Sequence, residues 1–379
     1  MSKSADIAEK YPGPRTPSPL SQSIRFNFEE KLGKYPHKVE AALRGDLESA
    51  LSVVYLDVNT DICNHNCTFC DGFHRPLSRA VISTERILEL IDEMEELGVL
   101  AVVLAGDRGE PLMHPGIARV LDRFARSPIQ LGMYTNGSIL PPRLVKAVGS
   151  MAWIRVSADA GTAQTHRKMH AYTHQRDDFA TLQKTLRALT DTVPDVGVSF
   201  ILDPLNVHEI RQAADILLSA GAHFIEYKPK YLPNYTVDTE FLADHAEIIE
   251  KSITVAQQNW GPRVVLNNQI SGLLDGQEEP RLERDPRPCL TSALRMVVSS
   301  HGCYSCTPYR GESERRFGDV LTQSLRTILR GQRRVELVGR PCTRRCAYDA
   351  QNDFLIDLAT TGRTLPVSLS SARPQDAFI

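Results

Sequence analysis

The sequence of 379 residues predicts an α/β fold with a parallel sheet, followed by a small cysteine-rich module. Two observations predict this. Short β-branched apolar runs alternate with amphipathic helical stretches between residues 52 and 258, and five of the eight cysteines lie within Cys289–Cys346. Six strand–helix units in series imply right-handed crossovers, wound as an open doubly wound sheet or as a partial (βα)6 barrel. In both arrangements ligands bind at the carboxyl ends of the strands.

A Pro/Ser-rich arm, Pro12–Ser23, comes first, and a short helix is predicted around Val39–Ala50. Six apolar runs are predicted strands: Ser52–Val58, Val99–Ala105, Gln130–Tyr134, Ala152–Ser157, Val196–Leu202 and Ala222–Lys228. Helical periodicity lies between and after them: Thr84–Leu97, Ile117–Ala125, Pro142–Val148, Phe179–Leu189, Val207–Ala220 and Asp238–Gln258. Ser83 is a predicted N-cap of the first of these helices.

These changes of pattern predict the domain organisation. An N-terminal extension covers residues 1–50, the strand–helix core covers 51–266, and a linker rich in Gly, Glu, Asp and Arg covers 267–288. The cysteine-rich module covers 289–350, and a C-terminal tail covers 351–379.

Composition restricts the class of protein. Lys+Arg is 44 and Asp+Glu is 46, a net charge of −2, which is far from the basic balance of a dedicated nucleic-acid binder. No apolar run approaches the roughly 20 residues of a membrane helix, and the N-terminus lacks the pattern of a secretory signal. We therefore expect a cytoplasmic protein with no nucleic-acid or membrane partner, whose reduced cysteines serve metal binding or catalysis.

Cys63, Cys67 and Cys70 form a C-x3-C-x2-C motif on the loop after the first predicted strand. Three thiolates on one loop can hold three corners of a 4Fe-4S cluster, which leaves one iron open to a chelating ligand. A structural zinc site normally uses four protein ligands. His65 is a candidate for the fourth, but a ligand between the first two cysteines would strain the loop, so zinc is the weaker alternative.

This motif, at this place in a strand–helix domain, resembles the radical S-adenosylmethionine (radical SAM) superfamily, and the resemblance covers roughly residues 52–230. It implies a partial (βα)6 barrel whose open iron binds the amino and carboxylate groups of SAM. Reductive cleavage of SAM then yields a 5′-deoxyadenosyl radical that abstracts hydrogen from the substrate. The resemblance also implies a flavodoxin- or ferredoxin-type electron donor.

Further strand ends resemble family motifs: RGEPLMHP from residue 108, YTNG from 134 and VSAD from 156. The resemblance implies that the following residues surround SAM: Phe69 near the adenine, Gly109, Glu110 on the amino group, Asn136, and Ser157. Arg108 and Ala160 stand where the family has glycine. His170 stands where the family often has an arginine for the SAM carboxylate, so Arg167 is the candidate for that role.

The second cysteine group, with the FGDV segment from residue 317, resembles the auxiliary-cluster extension called SPASM or, in shortened form, twitch. The resemblance implies one closed auxiliary 4Fe-4S cluster with four ligands: Cys289, Cys306, Cys342 and Cys346. Cys303 is then spare, although it competes with Cys306 for the same place. The alternative is a zinc knuckle or ribbon.

A closed cluster near the substrate favours a net oxidation, so the expected enzyme is an oxidoreductase. The family implies a small polar substrate, such as a sugar, aminocyclitol or nucleoside-like intermediate of antibiotic biosynthesis. Candidate catalytic groups are Glu226, Tyr227 and Lys228 at the end of the sixth strand. Cys303 suggests an epimerase instead, because a thiol there could return hydrogen to the opposite face of the substrate radical. The sequence also leaves open decarboxylation, dehydration, peptide maturation and a non-catalytic zinc or iron–sulfur protein.

Overall fold

The computed structural model describes residues 28–70, 78–232, 236–274, 283–338, 340–344, 346, 348–366 and 373–379. The arm predicted at Pro12–Ser23 lies outside the described residues. Among the described residues, no helix is both long enough and apolar enough to cross a membrane.

Twelve strands are described. They are β1 (Val53–Thr60), β2 (Ala80–Val81), β3 (Ala101–Asp107), β4 (Gln130–Thr135), β5 (Trp153–Ser157), β6 (Val196–Ile201), β7 (Phe224–Lys228), β8 (Val264–Leu266), β9 (Glu283–Arg287), β10 (Arg295–Ser299), β11 (Gly302–Tyr304) and β12 (Cys342–Arg344). A ten-stranded sheet has the order β11-β10-β1-β3-β4-β5-β6-β7-β8, with β2 paired to β1. All pairings from β10 to β8 are parallel. The predicted α/β class with a mainly parallel sheet is thus confirmed, and the six predicted strands are β1 and β3–β7.

Sixteen α-helices are described. They are α1 (Phe28–Lys34), α2 (Pro36–Arg44), α3 (Leu47–Ala50), α4 (Thr84–Glu96), α5 (Ile117–Phe124), α6 (Pro142–Val148), α7 (Ala163–His170), α8 (Asp178–Thr190), α9 (Ile210–Ser219), α10 (Thr239–Asp244), α11 (Ala246–Trp260), α12 (Asn268–Leu274), α13 (Thr291–Leu294), α14 (Leu325–Arg330), α15 (Gln332–Val338) and α16 (Asp349–Thr361). The Ser83 hydroxyl accepts a hydrogen bond from the backbone N–H of Arg86, so the predicted N-cap of α4 is present.

Three helix predictions need correction. The helix predicted at Asp238–Gln258 is two helices, α10 and α11, with His245 between them. The helix predicted at Val39–Ala50 is two helices, because Gly45 between α2 and α3 adopts a left-handed φ of 77°. Helix α7 is absent from the predicted helices, since it buries His166, Met169 and His170 instead of a stripe of aliphatic residues. An apolar periodicity cannot detect such a helix.

The predicted domain boundaries also need correction. Strand β10 belongs to the cysteine-rich module, yet it pairs with β1 and extends the central sheet. This pairing covers the edge of β1 that would otherwise be left open. The segment predicted as a linker holds α12 and β9. The segment predicted as a tail holds most of α16 and ends at Ile379, which is fully buried.

The two faces of the sheet differ in chemistry. One face packs under the helices through apolar side chains such as Leu56, Ile154 and Phe200. Because side chains alternate along a strand, the opposite face carries Tyr55 of β1 and, in register with each other, Tyr134 of β4 and Arg155 of β5. We call this second face the inner face of the partial barrel.

Candidate active site

The cysteine loop leaves the carboxyl end of β1, and all three of its cysteines are partly exposed and outside any disulfide. The Sγ of Cys63 accepts a hydrogen bond from the backbone N–H of His65 at 3.4 Å and one from Nδ2 of Asn136 at 3.8 Å. Burial, with the carboxylate of Glu110 second, raises the pKa of Cys63 to about 12. A bound cation would offset both effects by stabilising the thiolate.

Glu110 lies beside this loop with its carboxylate fully enclosed. It accepts hydrogen bonds from the backbone N–H of Leu112 at 3.1 Å, the hydroxyl of Thr135 at 2.8 Å and the backbone N–H of Asn136 at 2.7 Å. Burial outweighs these three bonds and raises the pKa of Glu110 to about 7. Residues that follow β3 and β4 therefore orient the carboxylate together.

The raised pKa predicts how SAM binding depends on pH. Ionised Glu110 accepts a hydrogen bond from an iron-bound SAM amino group more strongly than the neutral acid does, so we expect affinity to increase as the pH rises through about 7. Glu110→Gln should weaken binding at least about tenfold and flatten this profile. Isothermal titration of the cluster-loaded protein measures both. Glu89→Gln, which changes an exposed side chain of α4, is the control. An unchanged pH profile in Glu110→Gln would contradict the assigned role.

Arg108, which replaces the first glycine of the family motif, has a left-handed φ of 54°. Glycine adopts this conformation without steric cost, which explains the family preference. Arg108 compensates through an ion pair, because its Nε lies 3.1 Å from the buried Oδ1 of Asp61. The turn that carries Glu110 is therefore kept despite the substitution.

Gly109 is required for close packing. A Cβ at this position would overlap the amide oxygen of Asn59. Asn59 is fully buried at the end of β1, and its Nδ2 donates to the backbone carbonyl of Glu110 at 2.8 Å. The role of Asn59 is not evident from the sequence, where its only signal is a polar residue inside an apolar strand.

We expect Gly109→Ala to lower the melting temperature and to weaken SAM binding, because the new methyl group displaces Asn59 and shifts Glu110. Overpacking of this kind costs about 1–3 kcal/mol. Gly272→Ala is the matched control, since a Cβ there meets no atom within 4 Å. Thermal unfolding of both variants checks the prediction, and equal melting temperatures would contradict it.

Asn136 connects the predicted SAM residues to the cysteine loop. Its Nδ2 donates to Oδ1 of Asn64 at 2.9 Å, and its Oδ1 accepts from the backbone N–H of Ser138 at 3.0 Å. Nδ2 of Asn64 in turn donates to the hydroxyl of Ser138 at 2.8 Å. The YTNG motif thus forms a closed hydrogen-bond network with the loop, which holds the loop against the end of β4.

The remaining predicted SAM residues are spread around the loop. Ser157 ends β5 in register with Ser199 of β6, and the ring of Phe69 lies edge-on to His170 at 5.6 Å. Arg167 is occupied elsewhere, because its Nη1 donates to the carbonyl of His174 at 2.7 Å and its guanidinium stacks on Tyr172. A role for Arg167 on SAM therefore stays a prediction that requires those contacts to break.

His65 makes a poor fourth zinc ligand. Its side chain is buried, and its Nε2 lies 2.7 Å from Oδ2 of Asp178. Burial lowers the pKa of His65 to about 4. The ligand atoms of His65, Cys67 and His170 do lie within 4.8 Å of one another. That group uses one cysteine of the three and leaves the C-x3-C-x2-C spacing unexplained.

The second cysteine group surrounds one cavity. Cys289, Cys306, Cys342 and Cys346 all line it, together with Tyr348. Burial raises the pKa of Cys306 to about 12 and raises that of Cys346 well above its usual range. Four thiols around one cavity fit the donor set of a closed 4Fe-4S cluster.

Cys303 lies apart from this cavity. Its thiol is fully buried in the apolar core, and the residue pairs with Val298 in the β10–β11 hairpin. Val298 follows Val297, which is in register with Tyr55, so Cys303 faces the helices and not the inner face. Burial raises the pKa of the Cys303 thiol to about 12. The hypothesis that Cys303 donates hydrogen to a substrate is therefore corrected, and Cys306 takes the place among the candidate ligands.

The three candidate catalytic residues at the end of β7 also lie on different faces of the sheet. Tyr227 is fully buried on the helix side, where its hydroxyl donates to the carbonyl of Ile210 at 2.6 Å, so its proposed catalytic role is also corrected. Glu226 and Lys228 lie on the inner face, with 3.3 Å between Oε2 and Nζ. The carboxylate also accepts from Nδ2 of Asn267 at 3.3 Å.

Residues 59–217 match the Radical SAM superfamily. This chain carries a radical SAM domain. Among curated relatives, the chain is 25% identical over 171 residues to the antilisterial bacteriocin subtilosin biosynthesis protein AlbA of Bacillus subtilis. It is 22% identical over 176 residues to the tungsten-containing aldehyde ferredoxin oxidoreductase cofactor-modifying protein of Pyrococcus furiosus. These alignments cover 44% and 45% of this chain but only 37% and 49% of the relatives.

Solved structures share the fold beyond this domain. Streptococcus suis SuiB bound to the precursor peptide SuiA aligns over 87% of this chain and 75% of its own, with a TM-score of 0.60 and 13% identity. Native anSMEcpe bound to AdoMet and the Cp18Cys peptide aligns over 82% of this chain and 99% of its own, with a TM-score of 0.57 and 13% identity. The predicted partial barrel of a radical SAM protein is thus confirmed.

The cofactors predicted from the sequence fit the residues present. The radical SAM domain accounts for a 4Fe-4S cluster and SAM, and the loop offers three soft thiolate donors with N–H groups beside them. The four cysteines around the second cavity fit the auxiliary cluster. The auxiliary-domain prediction is confirmed at this level.

Proposed function

We propose that this radical SAM enzyme dehydrogenates a small polar substrate on the inner face of its barrel. The observation that carries the proposal is the contact between the cavity lined by the second cysteine group and the inner face of the barrel. Tyr348 lines the auxiliary cavity, and its hydroxyl is hydrogen-bonded to the hydroxyl of Tyr55 on the inner face. The cavity whose four cysteines could hold a redox cluster therefore adjoins the face on which the substrate would lie.

When bound, SAM and the two clusters supply hydrogen abstraction and an acceptor for one electron. Removal of a hydrogen atom, a proton and an electron from a secondary alcohol gives a ketone, so the chain itself must provide a proton acceptor. Burial opposes the charge of Lys228, but Glu226 and Tyr134 outweigh burial and raise the pKa of Lys228. Lys228 therefore stays a cation that binds substrate oxygen, and the carboxylate of Glu226 takes the proton.

Anaerobic assays with SAM and dithionite test this proposal. Sugars, aminocyclitols and nucleosides are screened by mass spectrometry for a product two hydrogens lighter than the substrate. We expect Glu226→Gln to reduce product at least about 100-fold while 5′-deoxyadenosine still forms. Tyr227→Phe is the control, because its hydroxyl faces the helices. A product of unchanged mass would point to epimerisation and would overturn the dehydrogenase proposal.

A peptide substrate is the second candidate. It is favoured by the match to a bacteriocin biosynthesis protein and by the shared fold with SuiB, which was solved with its precursor peptide. The same assay separates the candidates. Deoxyadenosine formation stimulated by peptides and not by polyols would favour peptide modification.

A further inference from the structure

His170, the last residue of α7, is fully buried against the cysteine loop. Its Nδ1 lies 3.2 Å from Sγ of Cys67. The backbone is joined at the same place, because the N–H of Asn66 donates to the carbonyl of His170 at 3.0 Å and the N–H of Thr68 donates to the carbonyl of Met169 at 3.3 Å. The carboxyl end of α7 therefore supports the loop through both backbone and side chain.

The other ring nitrogen of His170 faces two acceptors. Nε2 lies 3.2 Å from the carbonyl oxygen of Ala158 and 3.3 Å from Oδ2 of Asp159. Both are oxygens, so Nε2 carries a hydrogen and donates it. A metal-bound Cys67 is a thiolate without a hydrogen of its own. The contact between Nδ1 and Cys67 is then attractive only if Nδ1 donates.

Packing fixes the imidazole in this orientation. The ring of His166 stacks on it with centroids 4.2 Å apart and an interplanar angle of 27°, and Phe69 lies edge-on. With both nitrogens engaged, His170 is not available for the SAM carboxylate in this conformation. Its position instead suits an effect on the cluster through Cys67.

We propose that His170 is a positioning residue that donates a hydrogen bond from Nδ1 to the Cys67 thiolate and thereby makes the SAM-binding cluster easier to reduce. A hydrogen bond to a ligating sulfur draws electron density from the cluster and stabilises its reduced, more negative form. The proposal holds whichever substrate the enzyme uses.

Two substitutions test the two ring nitrogens of His170 one at a time. His170→Asn places an amide N–H near the position of Nδ1, and His170→Gln places one near Nε2. Each holoenzyme, and His170→Leu, is titrated with dithionite while the EPR signal that changes on SAM addition is followed. We expect the equilibrium constant for reduction of the SAM-binding cluster to be about tenfold lower in the Gln and Leu variants, which is 59 mV for a one-electron couple. The potential of the Asn variant should stay close to that of the wild type.

Iron content must be equal for the comparison of potentials to stand. If the Leu variant fails to fold, the comparison of the Asn and Gln variants still tests whether Nδ1 donates to Cys67. A second measurement needs no variant: ENDOR of the reduced wild-type holoenzyme carrying histidine labelled with 15N in the imidazole ring alone should show a nitrogen coupled to the cluster. The ring label excludes the backbone nitrogen of His65, which donates to Cys63. Absence of this coupling would overturn the proposal. Equal potentials in wild type and His170→Gln, or an Asn variant shifted as far as the Leu variant, would also overturn it.

Discussion

Replacing Cys63, Cys67 and Cys70 together with Ala is expected to lower the iron and sulfide content from about eight to about four per chain and to abolish 5′-deoxyadenosine formation. The three cysteines share one loop that the ends of β4 and α7 hold in place. Because the loop's backbone hydrogen bonds to α7 do not use the cysteine side chains, the variant should still fold. Iron, sulfide and zinc analysis after anaerobic reconstitution, with circular dichroism, measures the effect.

Two results would contradict this prediction. Zinc without sulfide in the wild type would show that the loop holds a different metal. Loss of all iron in the triple variant would show that the two sites are not independent. Cys303→Ala is the matched control, since it removes a thiol that lines neither site and should leave about eight iron atoms in place.

The strands are predictable from the sequence because parallel strands buried on both faces, as β1 and β3 are along most of their length, are nearly continuous apolar runs bounded by turns. Strand β8, which has three residues, and the pairing of β10 with β1 are not, because sequence periodicity does not report partners distant along the chain. A domain boundary at residue 289 therefore separates two strands, β1 and β10, that pair in one sheet. The cysteine-rich composition after residue 289 indicates a change in chemical function, but β10 in that segment still belongs to the central sheet.

In the candidate site, too, some features are predictable from the sequence and others require the structure. Spacing alone located the three loop cysteines, and the motif resemblance located Glu110, which three hydrogen bonds hold between the ends of β3 and β4. Side-chain direction was inaccessible without the register of the strands. Tyr227 and Lys228 are neighbours in sequence and lie on opposite faces of β7, so only the structure separates a core residue from a candidate substrate ligand.

Cys306→Ala and Cys303→Ala form the second decisive comparison. We expect Cys306→Ala to lower iron from about eight to about four per chain and to eliminate dehydrogenated product while deoxyadenosine still forms. Cys306 lines the cavity with the other three cysteines, and Arg295 lies close enough to interact with it. Cys303→Ala should keep its iron and its product, with only a modest loss of stability from the small cavity left in the core.

Metal analysis and product assays on the two purified variants check this result, and each competing hypothesis leaves a distinct pattern. Loss of about four iron atoms from Cys303→Ala would make Cys303 a ligand and would require the β11 hairpin to turn its face. Full iron content with loss of an epimerised product, which has the mass of the substrate, in Cys303→Ala would instead restore the epimerase hypothesis. The second pattern conflicts with the fully buried thiol on the helix side of the sheet. A hydrogen donor must reach the radical carbon, and β10 and β11 lie between that thiol and the inner face.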